Sequence, residues 1–258
     1  MDFRTLSQER YTQYAQGYVT SQAHAKGTEL ARLVEVAQPQ SDWVVLDVAT
    51  GGGHTALAFA PHVARVVATD LTPRMLEKAE VYVTGQGVTN VEFRLADAED
   101  LPFGDGAFDL VTCRIAPHHF PDCAQFVREG ARVLRSSGLL LVQDHVLPDE
   151  EEAARAVDDF ERLRDPSHNR AFDAGEWRGT FEGAGLAVEH TEQIVKRHAF
   201  LDWAQRQGCT PEVVEQLIEM MRQAPIIAAE WMQPQDWGTP EATFINHHII
   251  IAGRKSVP

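Results

Sequence analysis

The sequence predicts an α/β protein built on a doubly wound, mostly parallel sheet. Three observations carry this reading: short apolar runs recur from Trp43 to Gln143, helical stripes separate them, and the first run empties into a glycine loop at Gly51-Gly52-Gly53. Alternating strands and helices favour parallel pairing, because parallel neighbours need a long connection that packs back onto the sheet.

The elements follow in order. Residues 3–36 read as helical, with Tyr11, Tyr14 and Tyr18 recurring three and four apart. Trp43 to Val48 is a strand feeding the glycine loop, and Leu57, Ala58 and Ala60 mark the helix after it. Val66 to Asp70 is the second strand, and Thr72-Pro73 opens a helix striped by Leu76, Ala79 and Val83. Val91 to Leu95 and Ala107 to Arg114 are strands three and four. Asp122 caps a helix carrying Phe126, Val127, Ala131 and Leu134, ended by Gly138, before strand five at Leu139 to Gln143. Ala153, Val157, Phe160 and Leu163 mark a helix stopped by Asp165-Pro166, with Asp149-Glu150-Glu151-Glu152 as charge favoured at its N-terminus. Asp173 and Glu176 form a capping box for the next helix. Leu186 to Val195 and Thr243 to Ala252 are two late strands, and Thr210-Pro211 opens a helix between them striped by Val214, Leu217, Ile218 and Met221. The expected organisation is a helical cap over 1–40, a ligand-binding domain over 41–197 and 241–258, and a helical insertion over 198–240 that forms a lid.

Composition narrows the function. Of 258 residues, 38 are acidic and 23 basic, a net charge of −15, which disfavours a nucleic-acid partner held through phosphates. Cys113, Cys123 and Cys209 are too widely spaced for a disulfide framework or a CxxC metal site. Met1-Asp2-Phe3-Arg4 has no apolar stretch of the signal-peptide kind, and runs such as Leu139 to Val142 are far too short to span a bilayer. A soluble, cytoplasmic protein is expected, with no membrane span and no bound metal.

The glycine loop is the most informative segment. Gly51-x-Gly53-x-x-Ala56 satisfies the dinucleotide fingerprint, so the glycines alone leave the ligand open. Asp47, on the strand feeding the loop, would repel a pyrophosphate and suits a ligand bearing an ammonium or sulfonium group. That favours S-adenosylmethionine over NAD. Asp70 ends the second strand, where a carboxylate can accept both ribose hydroxyls, and Asp97 follows the third strand, where it can accept from the adenine amine. Each of these acids also has an ordinary reading as a cap or turn residue.

At this point the chain resembles the class I S-adenosylmethionine-dependent methyltransferases, in particular the branch of the ubiquinone/menaquinone biosynthesis C-methyltransferases. The carrying segments are Val45 to Gly53, Ala68 to Leu76, Ala96 to Phe103, Phe108 to Val111 and Arg132 to Leu139. The resemblance implies a Rossmann-like seven-stranded sheet with an antiparallel last strand, and S-adenosylhomocysteine as the product of the cofactor. It also implies site residues: Asp47, Ala49, Gly51 and Gly53 for the methionine moiety, Asp70 and Leu71 for the ribose, Asp97 and Ala98 for adenine, and Arg114 through its backbone at the methionine end. Met75, from the segment after the second strand, joins the cofactor set. The family usually has glycine where this chain has Ala49.

A methyl sulfonium is already electrophilic, so the protein chiefly aligns an acceptor, and a base is needed only if the acceptor must lose a proton. His119 and His118, in the loop after strand four, are the catalytic candidates; loop packing is their other reading. Asp144 and His145 share the same crevice edge. Tyr18 is a candidate to close over the sulfonium. His247 and His248 sit adjacent on a strand and so point to opposite faces, which spoils them as a chelating pair. In the basic island from Arg162 to Arg170, Arg164 and Asp165 are expected to pair locally and fix the turn. Trp203, Met220, Met221, Trp231 and Trp237 suggest an apolar or aromatic small-molecule acceptor, or else simply pack the lid. Two other functions stand beside methyl transfer: an NAD(P)-dependent oxidoreductase on a similar sheet, and a non-catalytic module that binds S-adenosylmethionine.

Overall fold

A computed structural model describes residues 3–20 and 28–256, with side chains for 4–12 and from 29 onward. The elements in chain order are α1 (Phe3–Thr20), α2 (Thr28–Ala37), β1 (Val44–Val48), α3 (His54–Phe59), β2 (Arg65–Asp70), α4 (Pro73–Gly85), β3 (Val91–Leu95), β4 (Phe108–Arg114), α5 (Cys123–Val133), β5 (Leu134–Leu147), α6 (Glu151–Arg164), β6 (Phe172–Asp173), α7 (Ala174–Gly183), β7 (Leu186–Ala199), α8 (Phe200–Gln205), α9 (Pro211–Arg222), α10 (Ile226–Met232) and β8 (Thr243–Lys255).

The sheet order is β3-β2-β1-β4-β5-β8-β7, so the seven expected strands form one path. β1 to β5 pair in parallel, and β8 runs antiparallel to both β5 and β7. β6 is an eighth strand, pairing with Val146 and Leu147 at the far end of β5. Two residues carry no alternation, which is why the sequence does not announce it.

The central strands read as unbroken apolar runs because both faces of the sheet are covered. Val45, Leu110, Leu139, Leu141, Ile250 and Ala252 face α2 and α3, where Leu33, Ala56 and Phe59 meet them. Their neighbours Leu46, Val111, Leu140, Val142, Ile249 and Ile251 face the opposite side, toward Phe126 and Val127 of α5 and Trp177 and Phe181 of α7. A third core holds α6 against the helices inserted between β7 and β8: Phe160, Phe200, Trp203, Leu217, Met221 and Phe244 are its buried centre. There the Phe160 and Trp203 rings stack at 5.3 Å.

Local signals held in most places. Asp122 accepts from the Gln125 amide at the start of α5, Glu150 caps α6, the Asp173–Glu176 capping box opens α7, and Thr210 caps α9. Gly138 was misread. α5 stops at Val133, and Leu134 already belongs to β5, which runs four residues past Gln143 as well. Gly138 instead sits where a Cβ would lie 2.9 Å from the Arg135 carbonyl oxygen, so close strand packing, not a helix end, requires it. Among the described residues no helix is long and apolar enough to cross a membrane.

Candidate active site

A cavity of about 900 Å³ opens at the carboxyl ends of the parallel strands, the crevice where open α/β sheets bind ligands. Its walls come from the loops after β1, β2, β3 and β4, from the ends of β5, β7 and β8, and from α1, α6 and α8.

The loop after β1 forms one end. Asp70 accepts the Gly51 amide at 3.0 Å and the Thr72 amide at 2.9 Å, one on each carboxylate oxygen, which ties the glycine loop to the end of β2. Burial pushes its carboxyl above the ordinary range, and those backbone donors hold it back. The Thr72 hydroxyl and the Leu71 amide add to the donors around this carboxylate, and Asp70 lines the cavity. Ala49 has φ +52° and Ile115, after β4, has φ +53°, so both loops turn into the cavity through left-handed residues that carry a Cβ. Ala49 therefore accepts the strain that glycine would avoid, on the order of 1 kcal/mol.

Asp47 does not reach the cavity. It is 1% exposed, and its two oxygens accept the Thr50 and Thr112 hydroxyls at 2.6 and 2.8 Å. Burial raises its pKa to about 6, opposed by those hydroxyls and by the nearby Arg114 charge. Its expected role as a direct holder of the methionine moiety becomes one of bracing the loop through Thr50. Gly53 likewise leaves the cavity wall: with φ +80°, a Cβ there would lie 2.8 Å from Val83 Cγ2, so it lets α3 and α4 approach. Arg114 presents its side chain as well as its backbone, with Nε donating to Thr55 Oγ1 at 3.2 Å.

Gly51, Leu71, Met75, Asp97 and Ala98 all line the cavity as expected. Asp97 is engaged there already. Its Oδ1 accepts the Glu99 amide at 2.9 Å and its Oδ2 lies 3.0 Å from Arg4 Nε, while Arg4 also pairs with Glu99. Arg4 was not expected; it comes from α1, which also donates Gln8 Nε2 to the Leu71 carbonyl at 3.1 Å. The side chain of Tyr18 lies outside the described residues. From the same tyrosine series the structure places Tyr11 on the cavity.

The other end is a cluster of histidines. His118 Nδ1 lies 2.6 Å from Asp144 Oδ1, and its backbone amide donates to Asp144 Oδ2 at 2.8 Å, which fixes the ring. The His118 ring is 4.1 Å from His119 and 4.6 Å from His145, and His145 is 4.7 Å from His248. Burial holds all four below the ordinary imidazole range, so they are neutral near pH 7. His119 Nδ1 lies 2.9 Å from the Ser167 carbonyl, which can only accept, so the proton sits on Nδ1. Nε2 is then an acceptor, and Tyr11 Oη donates to it at 2.5 Å.

His247 and His248 do diverge. His247 stacks on Trp231 at 3.7 Å and bonds its carbonyl, whereas His248 faces the cavity with Nδ1 unpartnered among the described residues. No group of three or more His, Cys, Asp or Glu side chains suited to a metal ion occurs among the described residues.

Two further expectations change. Asp165 does not pair with Arg164: it binds Arg10 Nε of α1 at 2.9 Å and accepts the Ser167 hydroxyl at 2.6 Å. Arg164 turns to the Trp203 carbonyl and lies 4.3 Å over the Trp203 ring. Of the five large residues that suggested an apolar acceptor, only Trp203 lines the cavity, and the others pack the inserted helices or β8. That end is instead furnished by imidazoles, Arg164, Asp165, Arg206 and Asn246.

The chain is similar to known methyltransferases. Residues 46–142 match a family described as a methyltransferase domain. An uncharacterized methyltransferase, YcgJ of Bacillus subtilis, is 36% identical over 214 residues, covering 83% of this chain and 85% of its own. The crystal structure of the BH2331 protein of Bacillus halodurans C-125 superposes with TM-score 0.86 at 38% identity, over 90% of this chain and 100% of that one. A demethylmenaquinone methyltransferase of Thermus thermophilus is 38% identical over 119 residues, covering 45% of this chain and 54% of its own. With the sheet order, the Asp70-tied glycine loop and these relatives together, the chain belongs to the class I S-adenosylmethionine-dependent methyltransferases.

Proposed function

We propose that the enzyme methylates a small-molecule acceptor held at the histidine-lined end of the cavity. One observation carries the reading: the glycine-loop end and the histidine end belong to a single space of about 900 Å³, which suits a cofactor and a modest acceptor side by side. Bound S-adenosylmethionine supplies an electrophilic methyl group on a sulfonium. The residues present fit it. Asp70 lines the cavity at the end of β2, where a carboxylate suits the ribose hydroxyls, Leu71, Met75 and Ala98 offer a lining for adenine, and the Ala49 and Gly51 backbone turns inward at the methionine end.

Around the acceptor, His119, His118, His145 and His248 supply neutral hydrogen-bonding rings, and Trp203 one flat apolar side. In this reading α1 and the cap over 1–40 close the adenosine side through Arg4 and Gln8, and the 198–240 insertion forms the acceptor wall. The demethylmenaquinone methyltransferase among the relatives bears a small-molecule acceptor in its name, which supports the same class here.

The test is thermal unfolding with S-adenosylhomocysteine, S-adenosylmethionine, NAD and NADP added separately. A ligand at about 100 times its Kd stabilises by about 2.7 kcal/mol. Stabilisation by the two sulfur nucleosides alone, followed by label transfer from methyl-labelled cofactor to a small molecule, is the expected result. Stabilisation by a dinucleotide alone rejects the reading, and cofactor uptake without transfer to any acceptor leaves a binding module.

A further inference from the structure

We propose that Tyr11 takes the proton from the acceptor while passing its own to His119, and that the acceptor is a weakly acidic hydroxyl compound, phenolic or enolic. The inference rests on the methyl-transfer reading above. Tyr11 lines the cavity and donates to His119 Nε2 at 2.5 Å, while the Ser167 carbonyl holds the His119 proton on Nδ1. His119 therefore cannot meet the acceptor with its free lone pair, because the Tyr11 hydroxyl already occupies it. Tyr11 is the cavity-lining residue bonded to that nitrogen, and the imidazole behind it is the proton sink.

The step balances. The acceptor oxygen bonds to the methyl carbon, and the sulfur–carbon bond breaks with its electron pair left on sulfur. The acceptor proton moves to Tyr11 Oη, and the Tyr11 proton moves to His119 Nε2. The positive charge lost at sulfur reappears on the imidazole, where Asp165 stabilises it and Arg164 and His168 oppose it. Burial keeps the ring neutral beforehand, so it starts as a base. An amine attacking through a free lone pair needs no such relay at the bond-forming step.

The experiment compares wild type with Tyr11→Phe, which keeps the ring-edge contact to His119 and removes only the hydroxyl. Both proteins are titrated with S-adenosylhomocysteine, and transfer from labelled cofactor is followed with catechol and 4-nitrophenol against dimethylamine and piperidine. Expected are transfer to the phenols alone, kcat about 100-fold lower in the variant, and cofactor Kd and probe KM within threefold. The acid limb of the kcat profile should vanish with the hydroxyl. Transfer to the amines alone, or an unchanged kcat, overturns the proposal. Where no probe is methylated, histidine ¹⁵N resonances of the S-adenosylhomocysteine-saturated protein decide: a His119 protonated on Nδ1, whose Nε2 signal moves in Tyr11→Phe, supports the relay. An Nε2-protonated ring or an unmoved signal overturns it. Loss of cofactor binding by the wild type would instead count against methyl transfer itself.

Discussion

Replacing Asp70 by asparagine separates what this carboxylate does for the loop from what it does for the ligand. In the wild type one oxygen accepts Gly51 N–H at 3.0 Å and the other accepts Thr72 N–H at 2.9 Å. An amide keeps one acceptor and turns the other into a donor facing a donor. One charge-assisted bond is lost, about 1.5–3 kcal/mol. Asparagine also removes a buried charge whose carboxyl is already pushed upward by desolvation, which returns part of that cost. The net effect on folding should be small, about 1 kcal/mol or less. The ligand side has no such offset: one ribose hydroxyl loses its acceptor, so the Kd for S-adenosylhomocysteine should rise between about 10-fold and 150-fold. Titration calorimetry with the ligand and urea unfolding without it measure the two effects separately. A Kd within threefold of wild type would remove Asp70 from the binding site and leave it a loop brace.

Three further outcomes follow. Trp203→Ala should cost about 3–5 kcal/mol, since its ring is 2% exposed and stacks on Phe160, while S-adenosylhomocysteine affinity stays within a few fold; chemical unfolding and calorimetry check both. Gly253→Ala should destabilise by about 1–3 kcal/mol, because the added Cβ would lie 2.6 Å from Phe181 Cδ1, and a chemical-denaturation midpoint equal to wild type would refute that packing. His248 is held well below its ordinary pKa by burial, so its contribution to stability is complete above about pH 6.5 and is lost as pH falls, when only the unfolded chain takes up the proton. Urea unfolding of His248→Gln should therefore lose about 1 kcal/mol less than wild type between pH 6.5 and 5.5. Asp47 works in the other direction: its carboxyl is pushed up to about 6, so the cost of burying its charge is present above that pH and relieved below it.

The sheet was legible because its central strands are buried on both faces, which leaves apolar runs, and because the caps at Asp122, Glu150 and Asp173 are local chemistry. β6 and the true end of α5 were not, since pairing with a distant strand decides both. Two of the three strand-terminal acids, Asp70 and Asp97, line the cavity, as their places at the strand ends suggested. What spacing could not show is that Asp47 spends both oxygens on threonine hydroxyls 3 and 65 positions away. The acceptor end resisted more. His118, His119 and His145 could be placed at one crevice edge from the strand ends, but His248 and Tyr11 reach the same space from β8 and α1, and only the tertiary fold brings them in. The aromatic insertion misled because Trp231, Trp237 and Met221 look alike in sequence whether they face a ligand or a neighbouring helix.

The helical insertion departs from and returns to the sheet at hydrogen-bonded neighbours. Ala199 at the end of β7 pairs with Thr243 at the start of β8, and the Phe200 amide donates to the Ala242 carbonyl at 2.8 Å. α8, α9 and α10 are thus a closed detour whose two ends already touch. Because the entropy of closing such a detour grows only logarithmically with its length, a longer, shorter or unrelated one could be spliced there without shifting the pairing of the strands beneath. The stretch of cavity wall that Trp203 and Arg206 supply can thus vary in length apart from the strands that carry His145 and His248.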